Sequence, residues 1–351
     1  MLKAEYKKYN LKFKFPAGTS RGVLNEKDSY ILKLWDSSNP NKFGLGECSP
    51  LIGLSIDNMD NYSAKLDEMC KMINETGEIP ADLELDLFPS IEFGLESSLL
   101  DLENGGIRKI ANTDFFNKSE PIDINGLVWM NTKEHMKEQI KTKIEQGFKC
   151  IKLKIGAINF DDECYLLEEI RKTFSEEDIE IRVDANGAFA NEDALAKLER
   201  LSKYDLHSIE QPIKQGQWTV MANLCKNTPL AIALDEELIG VTSDAGKKLL
   251  LQIIQPQYIV LKPTLLGGFQ LSQDWIEAAH DMDIDWWITS ALESNIGLNA
   301  ICQWASTFDL DEYQGLGTGQ LYENNFVSPL VVKDGQISYD SKKQWDLLNI
   351  F

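Results

Sequence analysis

The sequence holds only three histidines in 351 residues: His135, His207 and His280. A hydrolase built on a histidine-centred triad, or a metal site with several imidazole ligands, therefore has few candidates. Cysteine is sparse too. Cys48, Cys70, Cys150, Cys164, Cys225 and Cys302 form no Cys-x-x-Cys pair. Scattered thiols in a chain of this length read as reduced and buried, which points to the cytoplasm. No apolar run approaches the roughly 20 residues that cross a bilayer. The opening MLKAEYKKYNLKFKFPAG alternates charged and apolar residues, unlike the continuous apolar core of a signal peptide. Positive charge is in deficit: 35 basic against 56 acidic residues leave a net charge of −21. That argues against nucleic acid and anionic membranes as partners. A small-molecule partner remains, and a homo-oligomer is compatible with everything above.

What the sequence has is rhythm. From about residue 124, short runs rich in Ile, Val and Leu recur about every 25 residues, and several end in a charged or polar residue. They are Asn125–Met130, Cys150–Lys154, Glu180–Asp184, Leu206–Glu210, Ala231–Asp235, Tyr258–Lys262, Trp286–Ser290 and Glu312–Leu316. Between them lie amphipathic helical patterns, such as Ala194, Leu195, Leu198 and Leu201 in NEDALAKLERLSKY. Strand–helix alternation eight times over predicts an α/β fold, a modified TIM-type (β/α) barrel. A doubly wound open sheet is the alternative, but it rarely ends so many successive strands in charge. Residues 1–120 read as an α+β module of their own, with strands in EYKKYNLKFKF and SYILKLWD and helices near Asp57–Met72 and Phe88–Leu102. The barrel is expected over 121–321, and the segment 322–351 is expected to pack back on the first module.

Residues at the C-terminal ends of such strands converge on one mouth. Here those ends carry Lys152 and Lys154, Asp184, Glu210, Asp235, Lys262 and Ser290. Three carboxylates with no His or Cys beside them suit Mg²⁺, with Mn²⁺ as a substitute, as a Lewis acid on a substrate carboxylate. Period two in CIKLKIGA puts Lys152 and Lys154 on one face, about 7 Å apart. Lys152 is then expected to depress the pKa of Lys154 and make it a general base, with Lys262 across the mouth. The implied reaction is abstraction of a proton α to a metal-bound carboxylate. Each element alone has a plainer reading: edge-guarding lysines for KLK, turn chemistry for the DANG that holds Asn186, and helix capping for DEE at Asp235. None of these predicts the joint arrangement.

On these residues the chain resembles the enolase superfamily, in its muconate-lactonising branch. The resemblance spans nearly the whole sequence, and it implies an N-terminal α+β capping domain on the barrel. It makes Lys152-x-Lys154 the paired-lysine motif, Asp184, Glu210 and Asp235 the metal ligands, and Lys262 the opposing lysine. The phrases GECSPLIGLS, FPSIEFGLESSLLDL, INGLVWMN, LKPTLLGG, TSALESNIGL and GLGTGQLYENNF resemble the branch members that dehydrate a succinyl-hydroxycyclohexadiene carboxylate to o-succinylbenzoate in menaquinone biosynthesis. By that likeness Lys154 is the base. Asn186, Ser290, Glu293, Ser294 and Thr318 are candidates for substrate contact. The loops at Ser20-Arg21 and Gly53-Leu54 close the site, with Arg21 as a carboxylate partner. Racemases of N-succinylamino acids and dipeptide epimerases share the catalytic core and stay open as alternatives, as does, remotely, a non-catalytic binding barrel.

Overall fold

The computed structural model describes residues 1–19, 22–347 and 350–351. It begins with a long antiparallel ribbon, β1 (Leu2–Thr19) and β2 (Gly22–Asp36), widened by β3 (Phe43–Cys48). Alternation along these strands sends Ala4, Tyr30, Leu32 and Leu34 to one face. There they pack with Leu66, Met69 and Ile73 of α1 (Tyr62–Thr76) and with Ile91 and Leu95 of α2 (Pro89–Glu103). Contact between β3 and α2 is so close that a Cβ on Gly46 would fall 1.8 Å from the Gly94 carbonyl oxygen.

Helix α1 starts five residues later than the acidic stretch at Asp57 suggests, after a short 3₁₀ turn at Met59–Asn61. Asp57 is occupied elsewhere. Its buried carboxylate accepts the Ser90 amide at 3.2 Å and the Ser90 hydroxyl at 2.9 Å, at the start of α2, and also the Ser55 hydroxyl. Burial pushes its pKa up to about 6, against the pull of those hydrogen bonds. A carboxyl whose folded pKa lies above its unfolded value stabilises the fold fully only below about pH 4. That contribution is lost as pH rises through about 6 and amounts to on the order of 3 kcal/mol. Asp57→Asn should therefore remove this part of the pH dependence. Urea unfolding at pH 4.5 and pH 7 should give a smaller difference for the variant than for the parent, and equal differences would refute the assignment.

After α3 (Asp114–Lys118) and β4 (Ile122–Asp123) the alternating part of the chain begins with β5 (Gly126–Val128) and α4 (Lys133–Glu145). Then come β6 (Cys150–Lys154), α5 (Phe160–Arg171), β7 (Glu180–Asp184), α6 (Asn191–Leu201), β8 (Ser208–Glu210) and α7 (Trp218–Asn227). The series continues with β9 (Ile232–Leu234), α8 (Asp244–Ile254), β10 (Tyr258–Leu261), α9 (Pro263–Leu266), α10 (Phe269–His280), β11 (Asp285–Ile288) and α11 (Asn295–Ala305). Strands β5 to β11 lie in chain order in one parallel sheet. Apolar outward positions such as Ile151, Leu153, Ile181, Val183 and Ile209 pack under the helices in one large core.

The expected eighth strand, Glu312–Leu316, does not form as a ladder. It joins the two sheet edges through isolated parallel bridges, Ile124 to Gln314 and Thr289 to Gly315. Two residues account for this. The Gln314 side chain accepts the Ile288 amide at 2.7 Å, a bond that a ladder carbonyl would otherwise take. Gly315 lies so close to Thr289 that a Cβ would fall 2.0 Å from Thr289 Oγ1. Backbone bonds on both sides complete the junction, from the Gln314 amide to the Asp123 carbonyl at 2.9 Å and from the Gly315 amide to the Ile288 carbonyl at 2.8 Å.

The chain then returns. The hairpin β12 (Leu330–Lys333) and β13 (Gln336–Tyr339) pairs with β4. Phe326 and Ile350 share a cluster with Ile31, Leu45 and Ile296. All six cysteines are buried and free, and no helix among the described residues is long and apolar enough to cross a membrane.

Candidate active site

Parallel pairing in register turns equal strand positions into neighbours. Lys154 lies opposite Asp184, and Asp184 opposite Glu210. Asp235 and Lys262 follow directly after β9 and β10. All six side chains meet. Lys154 Nζ donates to Asp184 Oδ2 at 2.7 Å and to Asn186 Oδ1 at 2.8 Å. Lys152 Nζ lies 3.1 Å from the same Asp184 oxygen and donates to Glu210 Oε2. Lys262 Nζ donates to Asp235 Oδ2 and stands 3.7 Å from Glu210 Oε1. The sequence suggests lysines flanking a cluster of acids. The structure instead has the two interleaved, in the order Lys154, Asp184, Lys152, Glu210, Lys262, Asp235.

This changes the part that Lys152 plays. Although burial disfavours its charge, Asp184 and Glu210 hold its ammonium above the usual lysine range. It is a fixed cation on two carboxylates as well as a neighbour of Lys154. Lys262 is held up in the same way, burial being offset by Asp235, Glu210 and Glu236. Burial acts on Asp184 too, yet Lys152, Lys154 and Lys262 pull its carboxyl well below the usual range.

Negative charge is in surplus here. Asp184, Glu210, Asp235 and Glu236 are buried against three ammonium groups, and Glu210 Oε1 accepts no hydrogen bond. An all-oxygen donor set with a formal deficit of one positive charge fits a hard divalent cation. Nearby backbone serves the same group of side chains. Asn186 takes φ +45° in the DANG turn, its amide bonded to Asp184 Oδ1 at 2.9 Å and its Nδ2 to Glu236 Oε1 at 3.0 Å.

Lys152, Lys154 and Lys262 form the floor of a cavity of about 890 Å³. Asn186, Ser290 and Thr318 are on its wall, with the Ser290 and Thr318 hydroxyls bonded to each other. Two sequence candidates are not on it. The Glu293 carboxylate is turned back on the Ala291 amide at 2.8 Å and on the Thr264 hydroxyl. The Ser294 amide and hydroxyl are bonded to Glu47, at 2.8 and 2.5 Å. Both are buried in the loop before α11. Gly53 and Leu54 line the mouth; Ser20 and Arg21 lie outside the described residues. Phe15, Leu24, Leu51, Trp129 and Leu292 give the lining an apolar part, and His135, Glu138, Gln139 and Lys143 a polar one.

Sequence reasoning missed Glu47 and Glu236. Glu47 is fully buried in β3 and accepts from Ser29, Ser294 and Gly297. This fastens the first sheet to the N-terminus of α11, where negative charge is favoured. Its only signal was an acid inside an apolar strand. A second acidic group, Glu180, His207 and Glu312, offers one ligand atom each within 4.8 Å. It belongs to the opposite end of the strands, since Glu180 opens β7 and Asp184 closes it. Arg182 already bridges Glu180, at 2.6 Å, and Glu312, so the charge there is met by a guanidinium.

The family model described as "Enolase C-terminal domain-like" matches residues 135–343. The o-succinylbenzoate synthase of Desulfotalea psychrophila is 45% identical, over 95% of this chain and 98% of that protein. The crystal structure of MenC from the same organism superposes with a TM-score of 0.85 at 41% identity, covering 96% of this chain and 99% of that one. A dipeptide epimerase from Cytophaga hutchinsonii, solved with Mg and the dipeptide D-Ala-L-Val, shares the fold at a TM-score of 0.82 and 21% identity, over 97% and 93% of the two chains. The chain belongs to the enolase superfamily and, within it, to the family of the o-succinylbenzoate synthases.

Proposed function

We propose that this protein is a Mg²⁺-dependent dehydratase of the cytoplasm. Its substrate is 2-succinyl-6-hydroxy-2,4-cyclohexadiene-1-carboxylate and its product o-succinylbenzoate, a step of menaquinone biosynthesis. The observation that carries this reading is the interleaved row of three lysines and three carboxylates under one cavity, in a chain so similar to a protein of that name. Asp184, Glu210 and Asp235 would hold Mg²⁺. Bound there, the ion supplies a Lewis acid that withdraws charge from the substrate carboxylate.

The residues of the chain do the proton work. Lys154 takes the ring proton α to the carboxylate, and the C–H electron pair passes into the carboxylate system. That pair then forms the last ring double bond as the C–O bond breaks. The hydroxyl leaves as water, taking the proton from Lys154, so elimination is syn and no external acid or base is consumed. Lys152, charged and fixed between Asp184 and Glu210, keeps its proton throughout. Lys262, on the far side of the row, faces the other side of the ring, where its cation favours the nascent aromatic face. The apolar part of the lining, from Phe15, Leu24, Trp129 and Leu292, suits the six-membered ring.

Two lysines well apart along the row, Lys154 and Lys262, also suit a two-base racemisation of an N-succinylamino acid. Dipeptide epimerisation fits less well, because Glu138 is the one carboxylate among the described lining residues of the cavity to meet a substrate ammonium. Incubation with the cyclohexadiene and Mg²⁺ should give the aromatic product, read by its ultraviolet absorbance. No product, together with deuterium exchange into an N-succinylamino acid in D₂O, would replace the dehydratase by the racemase.

A further inference from the structure

Outside the lysine–carboxylate row, one buried cation stands out by what it holds. Lys27, on β2, is buried. Its ammonium donates to the Ser49 hydroxyl, to the Ser49 carbonyl at 3.3 Å and to the Leu292 carbonyl at 3.2 Å. Ser49 opens the loop whose residues Leu51 to Leu54 line the mouth, and Leu292 belongs to the wall after β11. One ammonium thus ties together two walls of the cavity that are remote in sequence.

Leu292 is itself unusual. It adopts φ +66°, the left-handed region that a residue with a Cβ enters only at a cost. Its carbonyl accepts a second bond, 2.7 Å from Tyr322 Oη. The residues on either side are pinned as well, by the Ala291 amide on the Glu293 carboxylate. Such backbone persists only where the surroundings over-determine it, and it gathers at sites of function.

We infer that Lys27 is a positioning residue for the substrate wall: with Tyr322 it holds Leu292 in its left-handed conformation, and so directs Ser290, Ala291 and Leu292 toward the cavity. This rests on the reading of that cavity as the substrate site. Lys27 has no contact with the lysines or carboxylates of the row, so its loss acts on binding and leaves the proton transfers intact.

The test is kinetic and structural together. Lys27→Met should raise KM for the cyclohexadiene about tenfold, the worth of one strained residue released. It should leave kcat within about threefold. Amide exchange over residues 290–294 should quicken about tenfold or more, while β6 to β10 keep their protection. Tyr322→Phe, which removes one hydroxyl, moves both readouts the same way by less, and it decides the matter if Lys27→Met fails to fold. In a Leu292→Gly background, where glycine takes the left-handed conformation freely, Lys27→Met should change KM less than about twofold. Unchanged KM and exchange would overturn the proposal. So would a fall in kcat and Tm with KM unmoved, or the same tenfold effect in both backgrounds. If the parent protein does not turn over the cyclohexadiene, the functional reading fails, and the exchange measurement, which needs no substrate, judges Lys27 by itself.

Discussion

Lys154→Ala is expected to lower turnover by about three to four orders of magnitude, the span that a positioned general acid–base group contributes. The same residue would remove the α-proton and return it to the leaving hydroxyl, so its loss strikes both halves of the elimination. Stability should hardly move, because Asp184 keeps Lys152 at 3.1 Å as its partner. Lys154→Arg separates charge from proton transfer. Arginine keeps the cation beside Asp184 and Asn186 but does not surrender a proton at any working pH. Its turnover should be as low as that of the alanine variant. An arginine variant with a tenth or more of the parent activity would remove Lys154 from the role of base.

Stripping Mg²⁺ with a chelator should cost about three orders of magnitude in turnover, since Lewis-acid stabilisation of developing charge is worth several kcal/mol. Added Mg²⁺ or Mn²⁺ should restore it. A readout independent of turnover accompanies this. An ion that binds only the folded state raises Tm in proportion to the logarithm of its concentration. The buried surplus of Asp184, Glu210, Asp235 and Glu236 over three ammonium groups would favour binding of the ion. Asp235→Asn should weaken binding at least about tenfold by calorimetry and shrink the shift in Tm. Full activity in excess chelator, with a Tm indifferent to Mg²⁺, would dismiss the metal site.

Much of this arrangement is legible in the sequence because a parallel sheet in register maps position along a strand onto position in space. The 25-residue rhythm and the charged strand ends suffice to bring Lys152, Lys154, Asp184, Glu210, Asp235 and Lys262 together. What lies off the strands is less readable. Nothing periodic governs the loop after β11, and Glu293 and Ser294, polar and in the right place, are drawn off by Ala291, Thr264 and Glu47. Glu47 finds Ser294 and Gly297 some 250 residues away, beyond any local pattern. The interleaving of lysines with acids is likewise a matter of side-chain reach. Spacing alone does not separate a cation that repels its neighbour from one bound between two carboxylates.

The far end of the chain finishes what the near end begins. Lys14 and Lys12 of the first strand bond to Leu321 and Glu323, each at 2.9 Å, Phe13 bridges to Tyr322, and Leu11, Phe13 and Ala17 are covered by Leu321 and Tyr322. A ribosome adding about 5–20 residues per second makes the first strand on the order of tens of seconds before its cover exists. For that interval the strand presents an open edge and bare apolar side chains, the form most prone to pair with another copy. The mouth of the cavity is consequently among the last parts to assemble after synthesis. A chain stopped near residue 320 would yield an aggregating fragment and not a smaller enzyme, and chaperone demand should peak early in translation although the lysine–carboxylate row is encoded later.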